Sequence, residues 1–182
     1  MMRSCAVIGA SACALALTFA ASARAENASS ALKAAFVYNF AKFTEWPADS
    51  LAASAPIVIC VFGDAGVADR LVELTAGQAI GAHPMMIRQP RADDALDDCK
   101  VMYVSGLDGK RLSTLVAALS HSTVLTISDA DGFAQRGGIV GLFVDAGRIR
   151  FMINLDSVHR SRLQLSSKLL TLGTIVKDDV NP

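Results

Sequence analysis

The sequence predicts one α/β domain: a central, mostly parallel but mixed sheet of about six strands, flanked by about five helices and closed by a C-terminal β-hairpin and helix. Three observations predict it. Short β-branched runs alternate with amphipathic stretches through the middle of the chain, as strands and crossover helices do. Apolar residues make up 52% of the chain and charged ones 19%, enough for a sizeable core and too little charge for disorder. A length of 182 residues suits a single domain.

The first 25 residues form a targeting segment. Met1–Arg3 carries one positive charge, Cys5–Ala21 is small and apolar, and Ala23-Arg24-Ala25 ends in small residues. That order is a secretory signal cut after Ala25, and the run is too weakly hydrophobic for a membrane anchor. The mature domain is then 26–182, with 15 basic and 17 acidic groups. It needs no membrane span, and its balanced charge argues against nucleic acid as a partner. Cys60 and Cys99 are the two cysteines left. In an exported chain they invite one disulfide, with two buried thiols as the alternative.

Ser29 or Ser30 is expected to cap a first helix, with Leu32, Phe36, Phe40 and Phe43 on one stripe and Trp46-Pro47 after its end. Pro56–Gly63 is a strand buried on both faces. Asp64 caps a helix over Gly66–Thr75, and Gln78–Gln89 is strand-like but broken by Gly81 and Pro84. Asp93–Asp98 is expected to be a short helix. Val101–Ser105 and Thr123–Ser128 are strands on either side of a helix over Lys110–Leu119. Gly132–Arg136 is a turn. Ile139–Val144 and Arg148–Leu155 flank Asp145-Ala146-Gly147, the composition of a hairpin. Asp156 or Ser157 should cap one last helix carrying Val158, Leu165, Leu169, Leu172 and Val176.

Catalytic and metal motifs find little support. The three histidines form no HExxH pair, and no GxSxG elbow is present. Phe62-Gly63-Asp64-Ala65-Gly66 opens a helix but lacks both nucleotide-binding glycine spacings. Asp129-Ala130-Asp131-Gly132 begins like a calcium loop, yet its glycine is two places early and no glutamate closes it. The acidic cluster Asp93, Asp94, Asp97 and Asp98 suits a solvated face. No enzyme, metal or cofactor is expected. The candidates for partner or anion binding are Phe133, Arg136, Arg148, Arg150, Asn154, His159 and Arg162, with Arg160 beside them. Arg148, Arg150 and Asn154 share one strand face by the two-residue repeat, and Gly137-Gly138 leaves backbone N–H groups open nearby.

Four segments resemble the YfiR family of exported proteins, the DUF4154 domain. They are Lys33–Phe43 with Glu45-Trp46-Pro47; Ile59–Asp64; Val124–Asp129 running on to Gly132-Phe133-Ala134 and Gly137-Gly138; and Arg150-Phe151 with Ile153-Asn154-Leu155 and Leu163–Leu170. The resemblance spans about 31–176 in the family's order. It implies a periplasmic, often dimeric binding protein that represses an inner-membrane diguanylate cyclase of the YfiN type in cyclic di-GMP signalling and biofilm control. An outer-membrane lipoprotein of the YfiB type relieves the repression. Cys60 and Cys99 match the family's early disulfide pair, and the second pair of some members has no counterpart here. A periplasmic small-ligand-binding protein is the alternative.

Overall fold

The computed structural model describes residues 28–91 and 94–178, so the expected signal and its cleavage point lie outside the described residues. Helix α1 covers 28–42. Its buried stripe is Ala34, Val37, Phe40 and Ala41, and Phe36 and Phe40 meet the Phe151 ring edge-on at 5.8 and 4.9 Å. Leu32, expected on that stripe, is 46% exposed. Ser29 and Ser30 lie inside the helix rather than capping it.

After α1, β1 (Thr44–Glu45) pairs antiparallel with β9 (Gln164–Leu165) in a small separate sheet. The main sheet has eight strands in the order β10-β8-β7-β6-β5-β2-β4-β3. Its elements are β2 (Ile57–Phe62), α2 (Ala65–Thr75), β3 (Ala79–Ile80), β4 (His83–Arg88), β5 (Cys99–Val104), α3 (Gly109–Leu119), β6 (Leu125–Ser128), β7 (Val140–Asp145) and β8 (Arg148–Asn154). They are followed by α4 (Leu155–Arg160), β9, α5 (Ser167–Leu172) and β10 (Thr174–Val176). Strands β4, β2, β5, β6 and β7 run parallel. β3 is antiparallel to β4, β8 is antiparallel to β7, and β10 runs parallel to β8.

The two-residue repeat of β2 builds both faces of the core. Ile57, Ile59 and Val61 join α1 and α2, while Val58 and Cys60 face Leu112 and Val116 of α3. Asp64 caps α2 as expected, with Oδ1 accepting from Val67 N–H at 3.0 Å. Cys60 and Cys99 are disulfide-bonded across β2 and β5, with Cα atoms 5.8 Å apart and both residues fully buried. The β7–β8 hairpin turns at Ala146 (φ 47°) and Gly147 (φ 74°), the two positive-φ positions of a tight hairpin loop.

Three further expectations are overturned. Residues 94–98 form a bend and turn, not a helix, and Asp98 there pairs with Arg88 (Asp93 is outside the described residues). The single last helix is instead α4, β9, α5 and β10. Arg162 takes φ 55°, which a helix cannot accommodate, and Leu172, expected on its apolar stripe, is 76% exposed. The cap of α4 is Asn154, not Asp156 or Ser157: its Oδ1 accepts from Ser157 N–H at 3.0 Å.

Candidate functional site

Parallel strands deliver their last residues to one edge of the sheet. β5 and β6 end at Val104 and Ser128 and place Ser105 and Asp129 there, and β2 places Asp64 two residues past its end. This carboxyl edge is where open α/β sheets gather binding groups. Asp129 Oδ2 accepts from Lys33 Nζ at 2.6 Å, and from the Tyr103 and Ser105 hydroxyls at 3.2 Å each. Lys33 also lies 3.8 Å from Asp64. Burial, with the Asp129 and Asp64 charges beside it, pushes the Tyr103 phenol far above its ordinary range, so it stays a neutral donor.

This cluster ties α1 to the sheet. One carboxylate oxygen there gathers an ammonium and two hydroxyl donors, so Lys33, Tyr103 and Ser105 are all held at Asp129. Beside it opens a cleft of about 390 Å³. One wall is Leu142, Phe143, Val144 and Ile149 of the hairpin; the other includes Lys33, Asp129 and Asp131. The cleft thus sets an apolar wall against a charged one.

The opposite end of the sheet is built differently. β8 runs against β7, so Asn154 stands at the amino edge, six residues from Arg148 or about 20 Å along the strand. Asn154 is fully buried. Its Nδ2 donates to Ala134 O and to Asp178 Oδ1, both at 2.7 Å. Arg160 grips the same carboxylate, Nη1 to Oδ2 at 2.5 Å and Nη2 to Oδ1 at 3.3 Å, and Nη2 also donates to Ser157 Oγ at 2.8 Å. The Arg160 guanidinium, with help from Asn154, holds the Asp178 carboxyl below its ordinary value against a smaller opposing effect of burial. A cleft of about 430 Å³ adjoins this pair, lined by His121, Arg136 and Arg160 among others.

The candidate residues from the sequence therefore divide between two ends. Arg148 and Arg150 are exposed at the hairpin tip, where Arg150 pairs with Asp145 at 2.8 Å. Arg136 is exposed at the far cleft. His159 is exposed, and Arg162 pairs with Asp49 at 2.9 Å. Phe133 and Asn154 are buried, so their side chains shape the surface from beneath. Phe133 packs so closely on Gly138 that a Cβ there would collide with its ring. The strand-face repeat places Arg148 and Arg150 together but cannot bring Asn154 to the same ligand. Cys60, Asp98 and Cys99 come within ligand distance of one another, but the disulfide uses both sulfurs.

Lys33, Tyr103, Ser105 and Asp129 were missed as a group. A signal for them exists: Gly63-Asp64, Ser105-Gly106 and Asp129 each follow a buried strand, so all three chain exits share one edge once those strands are parallel.

The family model DUF4154, described as YfiR/HmsC-like, matches residues 30–174. That range contains the disulfide, the hairpin and the lining of both clefts except Ser29 and Asp178. The chain belongs to the YfiR/HmsC-like family, a family of periplasmic regulatory proteins.

Proposed function

We propose, with membership of the YfiR/HmsC-like family as the premise, that this chain is exported through residues 1–25 and acts in the periplasm by protein–protein contact. Its target is the sensor region of an inner-membrane diguanylate cyclase of the YfiN type, which it holds in the inactive one of two states. An outer-membrane lipoprotein of the YfiB type sequesters it and so releases the cyclase, and the working form is a homodimer. The observation that carries the reading is the family match over 30–174.

The carboxyl edge supports it physically. Lys33–Asp129 fixes α1 against the sheet, and the hairpin tip stands beside that anchor with Val144 72% exposed and Arg148 and Arg150 in solvent. A rigid apolar and basic projection can dock on an acidic or mixed surface without reorganising. To shift a two-state cyclase from mostly active to mostly inactive, the preference for one state must be about 5 kcal/mol. A few apolar contacts with flanking arginines are of that order.

Deletion of the gene should raise cellular cyclic di-GMP. Restoration of the full chain should reverse the rise, and a form lacking residues 1–25 should not. An unchanged level, in cells shown to express the cyclase, rejects the assignment.

The carboxyl-edge cleft of about 390 Å³ favours one second reading, a small ligand held between the hairpin and Lys33. A ligand-dependent rise in Tm, lost in Lys33→Met, would support it.

A further inference from the structure

The C-terminal strand and Asp178 form a strap over the amino edge of the sheet. β10 lies parallel on β8, Thr174 opposite Met152 and Val176 opposite Asn154. Two residues on, the Asp178 carboxylate enters the fork of Arg160 and the amide of Asn154. This is a finished carboxylate site. A fully buried amide donates one hydrogen, a guanidinium donates two bonds, and Ser157 Oγ, itself donating to Gly137 O at 2.9 Å, accepts from and steadies that guanidinium.

The strap itself is lightly held. β10 is three residues long, Ile175 is 42% exposed, and the preceding Leu172 is 76% exposed. The firm half of the contact thus belongs to the domain and the loose half to the tail. Arg136 and His121 extend the cleft beyond the occupied fork, and no acidic side chain other than Asp178 lines it among the described residues.

We propose that this amino-edge groove is a recognition site for an extended acidic peptide segment, and that the chain's own strap, Thr174–Asp178, occupies it as an exchangeable internal ligand. A competing segment would add a strand to β8 and place an Asp or Glu carboxylate between Arg160 and Asn154. That is β-strand addition with one charged anchor. The inference stands on this local geometry and does not depend on a cyclase partner.

The test uses the full exported chain and a labelled peptide of the tail sequence, Thr-Ile-Val-Lys-Asp-Asp-Val-Asn-Pro. Asp178→Lys withdraws the internal carboxylate and sets like charge against Arg160. That variant should bind the peptide saturably and at least about ten-fold more tightly than the wild type does. Adding Arg160→Met, or changing the first Asp of the peptide to Asn, should remove the gain. A folded Asp178→Lys chain that binds the peptide no better than wild type overturns the proposal.

If Asp178→Lys does not fold, amide hydrogen exchange in Asp178→Asn decides. Exchange at the β10 amides should quicken about ten-fold or more while β5 is unchanged. Equal protection of β10 in wild type and variant would show the strap to be a fixed part of the sheet.

Discussion

The two ends of the sheet are anchored by the same chemistry used in opposite ways. At the carboxyl edge a lysine from α1 reaches Asp129, so the ion pair joins two elements of the stable core. At the amino edge an arginine of α4 reaches Asp178, so the ion pair joins the core to a tail beyond the last short strand. The first pair makes a platform and the second makes a latch. What an ion pair contributes therefore depends less on its distance than on how firmly each partner's backbone is held.

The largest expected effect is common to both ends. Cys60→Ala with Cys99→Ala releases a staple between β2 and β5 with a sequence separation of 39. It should cost about 4 kcal/mol, or about 10 °C in Tm, read by thermal melting. A shift of under about 2 °C would show that the parallel strands hold both ends without it.

Next, Asn154→Ala should cost about 3 kcal/mol in denaturant unfolding, because it strands Ala134 O and Ser157 N–H in the buried amino edge. Asp129→Asn should cost about 2 kcal/mol by the same measurement, since Lys33 loses its nearer charge partner and keeps only Asp64, while the hydroxyl donors keep an acceptor. If Asp129→Asn proves the costlier, the carboxyl edge is the more demanding site, and the platform-versus-latch contrast grows.

Acid tests the amino end. The Asp178 carboxyl has a lowered pKa in the folded chain, so its contribution is complete above the unfolded value of about 4 and is lost as pH falls through the lower folded value. The Tm difference between wild type and Asp178→Asn should therefore shrink as pH drops from about 5 to about 2. A difference that grows on acidification would contradict the latch.

The same contrast sets what could be read from the sequence. The parallel half was legible because β2 is a continuous apolar run, β5 and β6 are short stretches rich in apolar residues, and Asp64 is a local cap whose partner lies three residues away. The hairpin was legible from Ala146-Gly147, and the Cys60–Cys99 bond from the expected export and the cysteine count. The stretch after Asn154 was not. Its leucines keep helical spacing, but Arg162 at positive φ breaks the helix and Thr174–Val176 finds β8. Tertiary pairing outweighs helical periodicity in such short segments. Neither anchor was visible as a pair: Lys33 and Asp129 are 96 residues apart, and Arg160 and Asp178 are 18 apart. Arg148, Arg150 and Asn154 were grouped by the two-residue strand repeat, and only the antiparallel course of β8 shows that Arg148 and Asn154 serve opposite ends.

The smallest effect on stability should accompany the largest effect on function. Arg148→Glu with Arg150→Glu alters two exposed side chains at the hairpin tip and should change unfolding free energy by less than about 1 kcal/mol. The most direct test of the central claim is the affinity of this double variant for the periplasmic region of the YfiN-type cyclase, measured by titration beside the wild type. The account predicts binding by the wild type and a loss of at least about ten-fold in the variant. Equal affinity, or no binding by either, would contradict repression through the carboxyl-edge surface.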